Sequence, residues 1–450
     1  MINGKQLEVL LDTRKEVVAN NLGQSLDMLL RLRAPAQEMA QGNAQERASL
    51  AISLVIDRSG SMNCGKLAEA KRCALNLLDR LSDEDRISVV IYDERVEVLL
   101  EMMAVRMAKT FLPTRLESVE PRGTTALHQG WLKGAETLAP GTGRGVMSRV
   151  ILLSDGQANH GLTHVDSICE QVRELASAGV STSTVGIGLG FNEELMTAIA
   201  NAGQGNSWYG ERSDDLAESF DAELSSLTTL VWQDVRVKLE TPLLPRLGQI
   251  KVRNDYVKDA RDYWCLPSIA VQSEVWMGIS LSMHEVIRLQ ESGTVLRCII
   301  CTIDQTGREY EFSVTLPQLP VVGLAEYRMA TENELVARRF NEIESADIQR
   351  EARAHVKVRN WEAVEGLIEE LETKGKDNPW LTETVKYLRK LLELRDHEAM
   401  EKELMYSSSK LKNRSASLND SMLFCMSMEA LEPAHLRKKV AQGRNTDSQS

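Results

Sequence analysis

The stretch LVIDRSGSMNCGKL, residues 54–67, carries two signals that exclude one another. From Gly60 it runs G-S-M-N-C-G-K-L, close to the loop G-x-x-x-x-G-K-[ST] that cradles phosphates. From Asp57 it runs D-R-S-G-S, a cluster of hard oxygen ligands. Two details separate them. A phosphate loop needs a hydroxyl after its lysine to reach magnesium, and Leu67 offers none while heading the apolar face of the next helix. Such a loop also begins directly after its strand, whereas here Asp57, Arg58 and Ser59 intervene before Gly60. If the strand stops near Ile56 and turns at Gly60, alternate residues of an extended stretch aim Asp57, Ser59 and Ser61 at one point. A carboxylate and two hydroxyls are hard donors, suited to magnesium or manganese, with calcium a further candidate, and poor for zinc. Three ligands do not fill an octahedron. Thr124 in PRGTTALHQGW and Asp155 in VILLSDGQAN stand where neighbouring strand ends would bring more oxygen.

Outward from this stretch, residues 49–228 alternate apolar strands with amphipathic helices. The strands are LAISLVID, RISVVIYD, RVEVLL, RVILLSD and VSTSTVGIG; the helices begin at Lys66, Thr125, His164, Asn192 and Ser213. This predicts an α/β domain with a doubly wound, mostly parallel sheet, whose ligands bind at the carboxyl ends of the strands. Residues 231–322 return to a period of two, the mark of a β-sandwich. Residues 1–35 read as two strands, with Leu26, Met28, Leu30 and Leu32 on one face. They would complete that sandwich, leaving the α/β domain as an insertion behind a polar linker over 34–48. Residues 325–406 have helical periodicity, and 407–450 read as a mostly disordered tail with an apolar patch around Met422–Leu431.

Composition bounds the function. At 450 residues the chain should hold two or three domains, and 43% apolar with 26% charged residues describes an ordinary soluble protein. A net charge of -12 argues against a nucleic acid or an anionic membrane as partner. There is no apolar run of the roughly 20 residues that span a bilayer, nor a charged start followed by an apolar core that would mark secretion. The seven cysteines are scattered, which fits a reducing cytoplasm. Cys298 and Cys301 have redox spacing, yet three apart on a strand they face opposite sides and read as packing. The oligomeric state is not written in the sequence.

D-R-S-G-S-M after LAISLVI, G-T-T before a helix and L-S-D-G after a strand resemble the metal-ion-dependent adhesion site of the von Willebrand factor type A domain. The resemblance spans about 49–228 and is of the bacterial type. The flanking β segments are similar to inter-alpha-trypsin-inhibitor heavy-chain-like proteins. It implies that Ser59, Ser61 and Thr124 bind the metal through hydroxyls, with Asp57 and Asp155 acting directly or through water. With only two carboxylates nearby, a divalent cation keeps an open position that an Asp or Glu of a protein partner fills. Arg122 departs from the family pattern, where glycine is common, and Thr125 beside Thr124 offers a second hydroxyl.

The expected function is therefore a non-enzymatic, metal-dependent protein-binding adaptor or assembly factor, with no catalytic residue assigned. The rival is an enzyme, either a P-loop-like NTPase using Lys66 and Asp155 or a metal-assisted hydrolase. Other motifs dissolve on inspection. Gly186-Ile-Gly188-Leu-Gly190-Phe191 puts Phe191 where a dinucleotide loop needs glycine, so it reads as a turn. His284-Glu285 and His397-Glu398 start like H-E-x-x-H but close on Arg288 and Glu401.

Overall fold

The computed structural model describes residues 7–20, 23–34, 49–139, 146–187, 191–210, 227, 230–242, 250–304, 307–376, 378–413 and 416–417. Strands β1 (Glu8–Thr13) and β2 (Ser25–Ala34) open the described chain, with the two-residue strand Val18–Ala19 between them. The α/β domain follows with β3 (Ser49–Asp57), α1 (Lys66–Arg80), β4 (Arg86–Tyr92), β5 (Val96–Ala104), α2 (Val105–Glu117) and α3 (Leu127–Leu138). It continues through β6 (Val146–Ser154), α4 (Val165–Ser177), β7 (Val180–Ile187), α5 (Glu193–Ala202) and β8 (Gln204–Gly210).

Across this sheet the order is β5-β4-β3-β6-β7-β8, all parallel except β5 at one edge. Strand β3 is buried along its length from Leu50 to Asp57 because helices cover both faces, which is why its sequence up to Ile56 is apolar but for the buried Ser53 rather than an alternation. One face packs Ile52, Leu54 and Ile56 against Leu67, Cys73 and Leu77 of α1 and Leu112 of α2. The other packs Ala51 and Val55 against Leu127 and Trp131 of α3 and Ile168 of α4. The chain order reverses at β3, with β4 on one side and β6 on the other. The carboxyl ends of β3 and β6 therefore flank a crevice. That crevice holds residues 57–61 and 154–155.

Three elements of this domain depart from the expectations. Helix α2 was not anticipated: Pro113 inside it removes one amide from the ladder, and its exposed Met107 and Phe111 blur the polar face. Strand β8 has the sequence QGNSWYG, too polar and glycine-rich to announce itself. The third helix starts at Leu127 rather than Thr125. The helix expected from Ser213 lies outside the described residues apart from Leu227, and so do residues 35–48 of the linker.

Beyond β8 come β9 (Leu230–Glu240), β10 (Ser273–Ser282), α6 (Met283–Glu291), β11 (Arg297–Asp304) and β12 (Glu309–Thr315). Strands β1, β2 and β10 are neighbours in one sheet. There β2 runs antiparallel to β10 from Ser25 opposite Ser282 to Ala34 opposite Ser273. Strands β9, β11 and β12 form part of a second sheet. Leu26, Met28, Leu30 and Leu32 face Val235, Val237 and Ile300 across a shared core. Each such side chain contributes roughly 1.5–3 kcal/mol by leaving water, and a one-residue slip would turn all four outward. Cys298 is buried in that core while Cys301 is half-buried on the opposite face, as their spacing predicts. Helix α6 replaces what reads as a strand end. Ser282 accepts the Glu285 amide as the helix N-cap and its hydroxyl donates to Glu285 Oε2, so S-M-H-E has the spacing of a capping box but closes it side chain to side chain. The expected strand GQIKVRN shrinks to Lys251–Val252.

Helices α7 (Glu334–Lys357), α8 (Trp361–Gly375), α9 (Pro379–Leu394) and α10 (His397–Asn413) come next. Helix α10 runs past residue 406, where a tail was expected, because Leu411 and Lys412 are buried. Ala416–Ser417 then pairs with Ser273 and Glu274 of β10. The Met422–Leu431 patch lies outside the described residues. Among the described residues no helix is long and apolar enough to cross a membrane.

Asp234, on β9, gives a stability prediction. Its φ is 49°, in the left-handed region, and it sits where the register of β9 against β11 shifts. Burial pushes its carboxyl up to about 6 despite Arg236, with Asp259 and Glu309 adding to the rise. The fold thus favours the neutral acid, so ionisation costs stability that is intact below the unfolded value and lost as pH rises through the folded one. Asp234→Asn, which also tolerates a left-handed backbone, should raise stability by on the order of 2 kcal/mol near pH 7.5 and by about nothing near pH 4. Urea unfolding at the two pH values checks this; equal effects at both would refute it.

Candidate functional site

The site begins where β3 ends. Asp57 and Ser59 are fully buried and Ser61 is half-buried. The Ser59 amide donates to Asp57 Oδ1 at 2.8 Å, curling the loop back on its own aspartate. This turn brings the Ser59 and Ser61 hydroxyls to 3.0 Å from each other. A single 3-10 turn over Gly60–Met62 follows, and α1 starts at Lys66 after Gly65 at φ 91°. Leu67, where a phosphate loop would need its hydroxyl, is only 4% exposed within the apolar core.

Asp155 enters from the end of the neighbouring strand β6. Ser154, just before it, donates its hydroxyl to Asp57 Oδ2 at 2.6 Å and receives the Gly156 amide at 2.8 Å. Both Asp57 oxygens are therefore already hydrogen-bonded. Burial nonetheless pushes the Asp57 carboxyl up to about 6 against the hydrogen bonds from Ser154 and Ser59, and nearby Asp155 adds to the rise. Tyr92, fully buried at the end of β4, has its phenol pushed well up by burial and then by Asp57. Lys66 Nζ lies 3.1 Å from Asp155 Oδ2. The main chain of Asp155 is fixed as well, its carbonyl accepting the Asn192 amide at 2.7 Å at the cap of α5.

Thr124 reaches the site on a loop sewn to the first one by backbone. The Gly60 amide donates to Gly123 O at 3.0 Å and the Arg122 amide to Arg58 O at 2.8 Å. Thr124 itself is exposed, and its amide donates to Glu94 Oε2 at 2.9 Å. Gly123, at φ 68°, leaves room for that carboxylate: a Cβ there would lie 1.6 Å from Glu94 Oε2. Thr125 is buried and serves as the anchor behind it. Its amide donates to Asn159 Oδ1 at 2.8 Å, and its carbonyl accepts the Asn159 and His160 amides.

Under the loops sits Asp93, fully buried just after β4. Arg58 Nε and Arg122 Nε both donate to its Oδ2 at 2.8 Å, and the Arg95 amide donates to its Oδ1 at 2.7 Å. Burial pulls this carboxyl up, but the hydrogen bonds from Arg122 and the Arg95 amide, with the charge of Arg58, hold it below the ordinary range. Arg122 is thus a clamp on the loop rather than a free rim residue.

The geometry gathers Asp57, Ser59, Ser61 and Asp155 around the ends of β3 and β6 and lays the Thr124 loop beside them. The sequence reading did not single out Tyr92, Asp93 or Ser154 as part of this arrangement. The run Y-D-E at the end of a buried strand was the available signal for the first two. Among the described residues no group of three or more His, Cys, Asp and Glu side chains could hold a metal ion. A set of two carboxylates and hydroxyls is of another kind, hard and oxygen-only, and it fits magnesium-type ions. Two aspartates in one buried crevice share the single ammonium of Lys66 and are short of positive charge.

Comparison with known proteins agrees with this architecture. Residues 51–222 match the family model of the von Willebrand factor type A domain. The chain is 30% identical over 206 residues to the uncharacterized protein sll0103 of Synechocystis sp., covering 46% of this chain and 48% of that protein. It is 28% identical over 178 residues to the human inter-alpha-trypsin inhibitor heavy chain H3, covering 37% of this chain and 20% of that one. It thus spans less than half the length of these relatives. Among solved structures it is similar to a von Willebrand factor type A protein from Catenulispora acidiphila, with TM-score 0.64 and 16% identity over 87% of this chain and 91% of that one. The ArnB paralog VWA2 from Sulfolobus acidocaldarius gives TM-score 0.57 and 16% identity, covering 90% of this chain and 99% of that one. At that identity the likeness is one of fold, and it extends well beyond the α/β domain.

Proposed function

From the premise that residues 51–222 are a von Willebrand factor type A domain, we propose that this chain is a non-enzymatic adaptor or assembly factor. It grips an acidic side chain of a protein partner at a metal-ion-dependent adhesion site. The observation that carries this reading is the pair of Ser59 and Ser61 hydroxyls, 3.0 Å apart, beside an Asp57 carboxyl driven to about 6 by burial, with Asp155 adding to the rise. Ser59, Ser61 and Thr124 would hold the ion through hydroxyls. Asp57, whose two oxygens are already engaged, suits a contact through water, and Asp155 a contact of either kind. A divalent cation so held, magnesium or manganese with calcium a further candidate, would supply an electrophilic position for a partner's Asp or Glu carboxylate. The clamp of Arg58 and Arg122 on Asp93 keeps the Thr124 loop against the Asp57 loop, so the chain's own contribution is a preformed cradle.

The same reading makes the α/β domain an insertion in a β unit, supported by the pairing of β2 with β10 on either side of it in sequence. It also keeps the protein in the cytoplasm, a compartment that suits the thiols of Cys64, Cys169, Cys265, Cys298 and Cys301.

Magnesium alone should stabilise the wild-type chain by on the order of 2–3 kcal/mol at a hundredfold excess over Kd. The Asp57→Ala, Ser59→Ala double variant should show no such gain and should lose partners that the wild type captures in magnesium but not in EDTA. Thermal melts and paired pull-downs measure both. Recovery of the same partners by wild type and variant, or stabilisation by ATP beyond that of magnesium, would sink the adaptor reading and favour the NTPase.

A further inference from the structure

Lys66 occupies a position that its own helix disfavours. It opens α1, where the partial positive charge of the helix N-terminus repels a cation, and Gly65 before it provides no side-chain cap. What holds the ammonium there is a residue 89 positions away, Asp155, whose Oδ2 lies 3.1 Å from Nζ. The carboxylate side chain is fully buried while the lysine side chain keeps 23% exposure, so the cation reaches in from solvent and has a way out. Nothing in the packing of α1 requires this choice: Leu67, Ala70, Cys73 and Ala74 make the buried face, and Lys66 stands at its edge.

Building on the metal reading above, we propose that Lys66 is a tethered competitor for the divalent cation, its ammonium and the ion contesting the same Asp155 carboxylate. Two like charges on one buried oxygen pair repel, and the flexible four-carbon stem lets the monovalent one withdraw to water. Lys66 thereby sets the metal concentration at which the site loads. When the site is not loaded, it supplies the counter-charge that keeps Asp155 and Asp57 from repelling each other. A lysine that merely positioned Asp155 for the metal would have the opposite effect on affinity, because its loss would leave a ligand out of place.

The sign of one measurement separates the two roles. Calorimetric titration of the full chain with Mn2+ alone should give a Kd about tenfold tighter for Lys66→Met than for wild type, ~1.4 kcal/mol. Lys66→Gln, which keeps a donor without the charge, should tighten similarly, and Lys66→Arg should stay near wild type. In EDTA, Lys66→Met should melt below wild type, and saturating Mn2+ should close that gap. A folded Lys66→Met or Lys66→Gln protein whose Kd is unchanged or weaker, while wild type binds, overturns the competitor role and leaves the metal site standing. No Mn2+ binding by wild type and variants alike overturns the metal site, and the competitor role falls with it.

Discussion

Asp93→Ala is expected to lower stability by about 3 kcal/mol, the usual cost of leaving a buried cation without its partner. Asp93 is fully buried and receives Arg58, Arg122 and the Arg95 amide. The Arg58 side chain is only 7% exposed and would be left with Glu97, 3.2 Å away at the surface. Arg122 would come free, and with it the tether of the loop that carries Thr124. The magnesium-dependent gain should therefore shrink in the same variant, although Asp93 is offered no contact with the ion. Asp93→Asn, which still accepts hydrogen bonds, should lie between wild type and Ala. The sign with pH is fixed by the direction of the shift. The Asp93 carboxyl is held below its ordinary range, so its contribution is complete above the unfolded value and is lost as pH falls through the folded one. Wild type and Asp93→Asn should thus converge in acid, below about pH 4, and differ steadily through neutrality. Urea unfolding across pH measures this. A loss under about 1 kcal/mol for Asp93→Ala, the size of an exposed ion pair, would mean that Arg58 finds another partner and that the clamp is not what holds the loops.

The contrast between Asp57 and Asp93 shows which parts of the site were legible beforehand. Asp57, Ser59 and Ser61 lie in one loop, so their spacing marks them together, although it is the turn at Ser59 and the 3-10 turn over Gly60–Met62, not an extended alternation, that brings them together. Thr124 and Asp155 were legible because buried parallel strands write their ends as apolar runs followed by polar loops, and a doubly wound sheet brings such ends to one edge. Asp93 stands at the same edge by the same logic. It was missed because its role is defined by two arginines, Arg58 and Arg122, that meet only after the chain has folded. Ser154 was hidden in the same way, since a serine at a strand end declares nothing until its hydroxyl is found on Asp57. The pairing of Lys66 with Asp155 was obscured differently: the phosphate-loop signal offered both residues a role with nucleotide and drew attention from the possibility that they answer each other. At the level of elements, β8 and α2 escaped because the edge of a sheet and a proline-bearing helix violate local propensity where tertiary packing supplies what propensity lacks.

Trp276→Ala is expected to cost about 3–5 kcal/mol and to loosen the helical region from the sheet before the sheet itself melts. On β10, Val275 and Met277 point into the core shared by the two sheets, so Trp276 points out, yet it too is fully buried. What covers it is α7: Val336, Phe340 and Ile343 pack on Trp276 and Leu29, and the Arg339 guanidinium lies 5.0 Å over the indole ring. The approach is close enough that a Cβ on Gly278, two residues along, would fall 2.8 Å from Ile343 Cδ1. Truncation to alanine opens a cavity in this seam that neither a strand nor a long helix can collapse into. Among the described residues, however, the buried indole N–H has no hydrogen-bond partner. Trp276→Phe should therefore cost under about 1.5 kcal/mol, since it keeps most of the apolar volume and removes an unsatisfied donor. Hydrogen exchange should report α7 amides opening below the global unfolding free energy in Trp276→Ala but not in Trp276→Phe. Equal costs for the two variants would show that the seam is held by the polar contacts around the ring rather than by its packing. In that case the helices would be fixed to the sheet by Arg339 and its neighbours, and the substitution to make next would be Phe340→Ala.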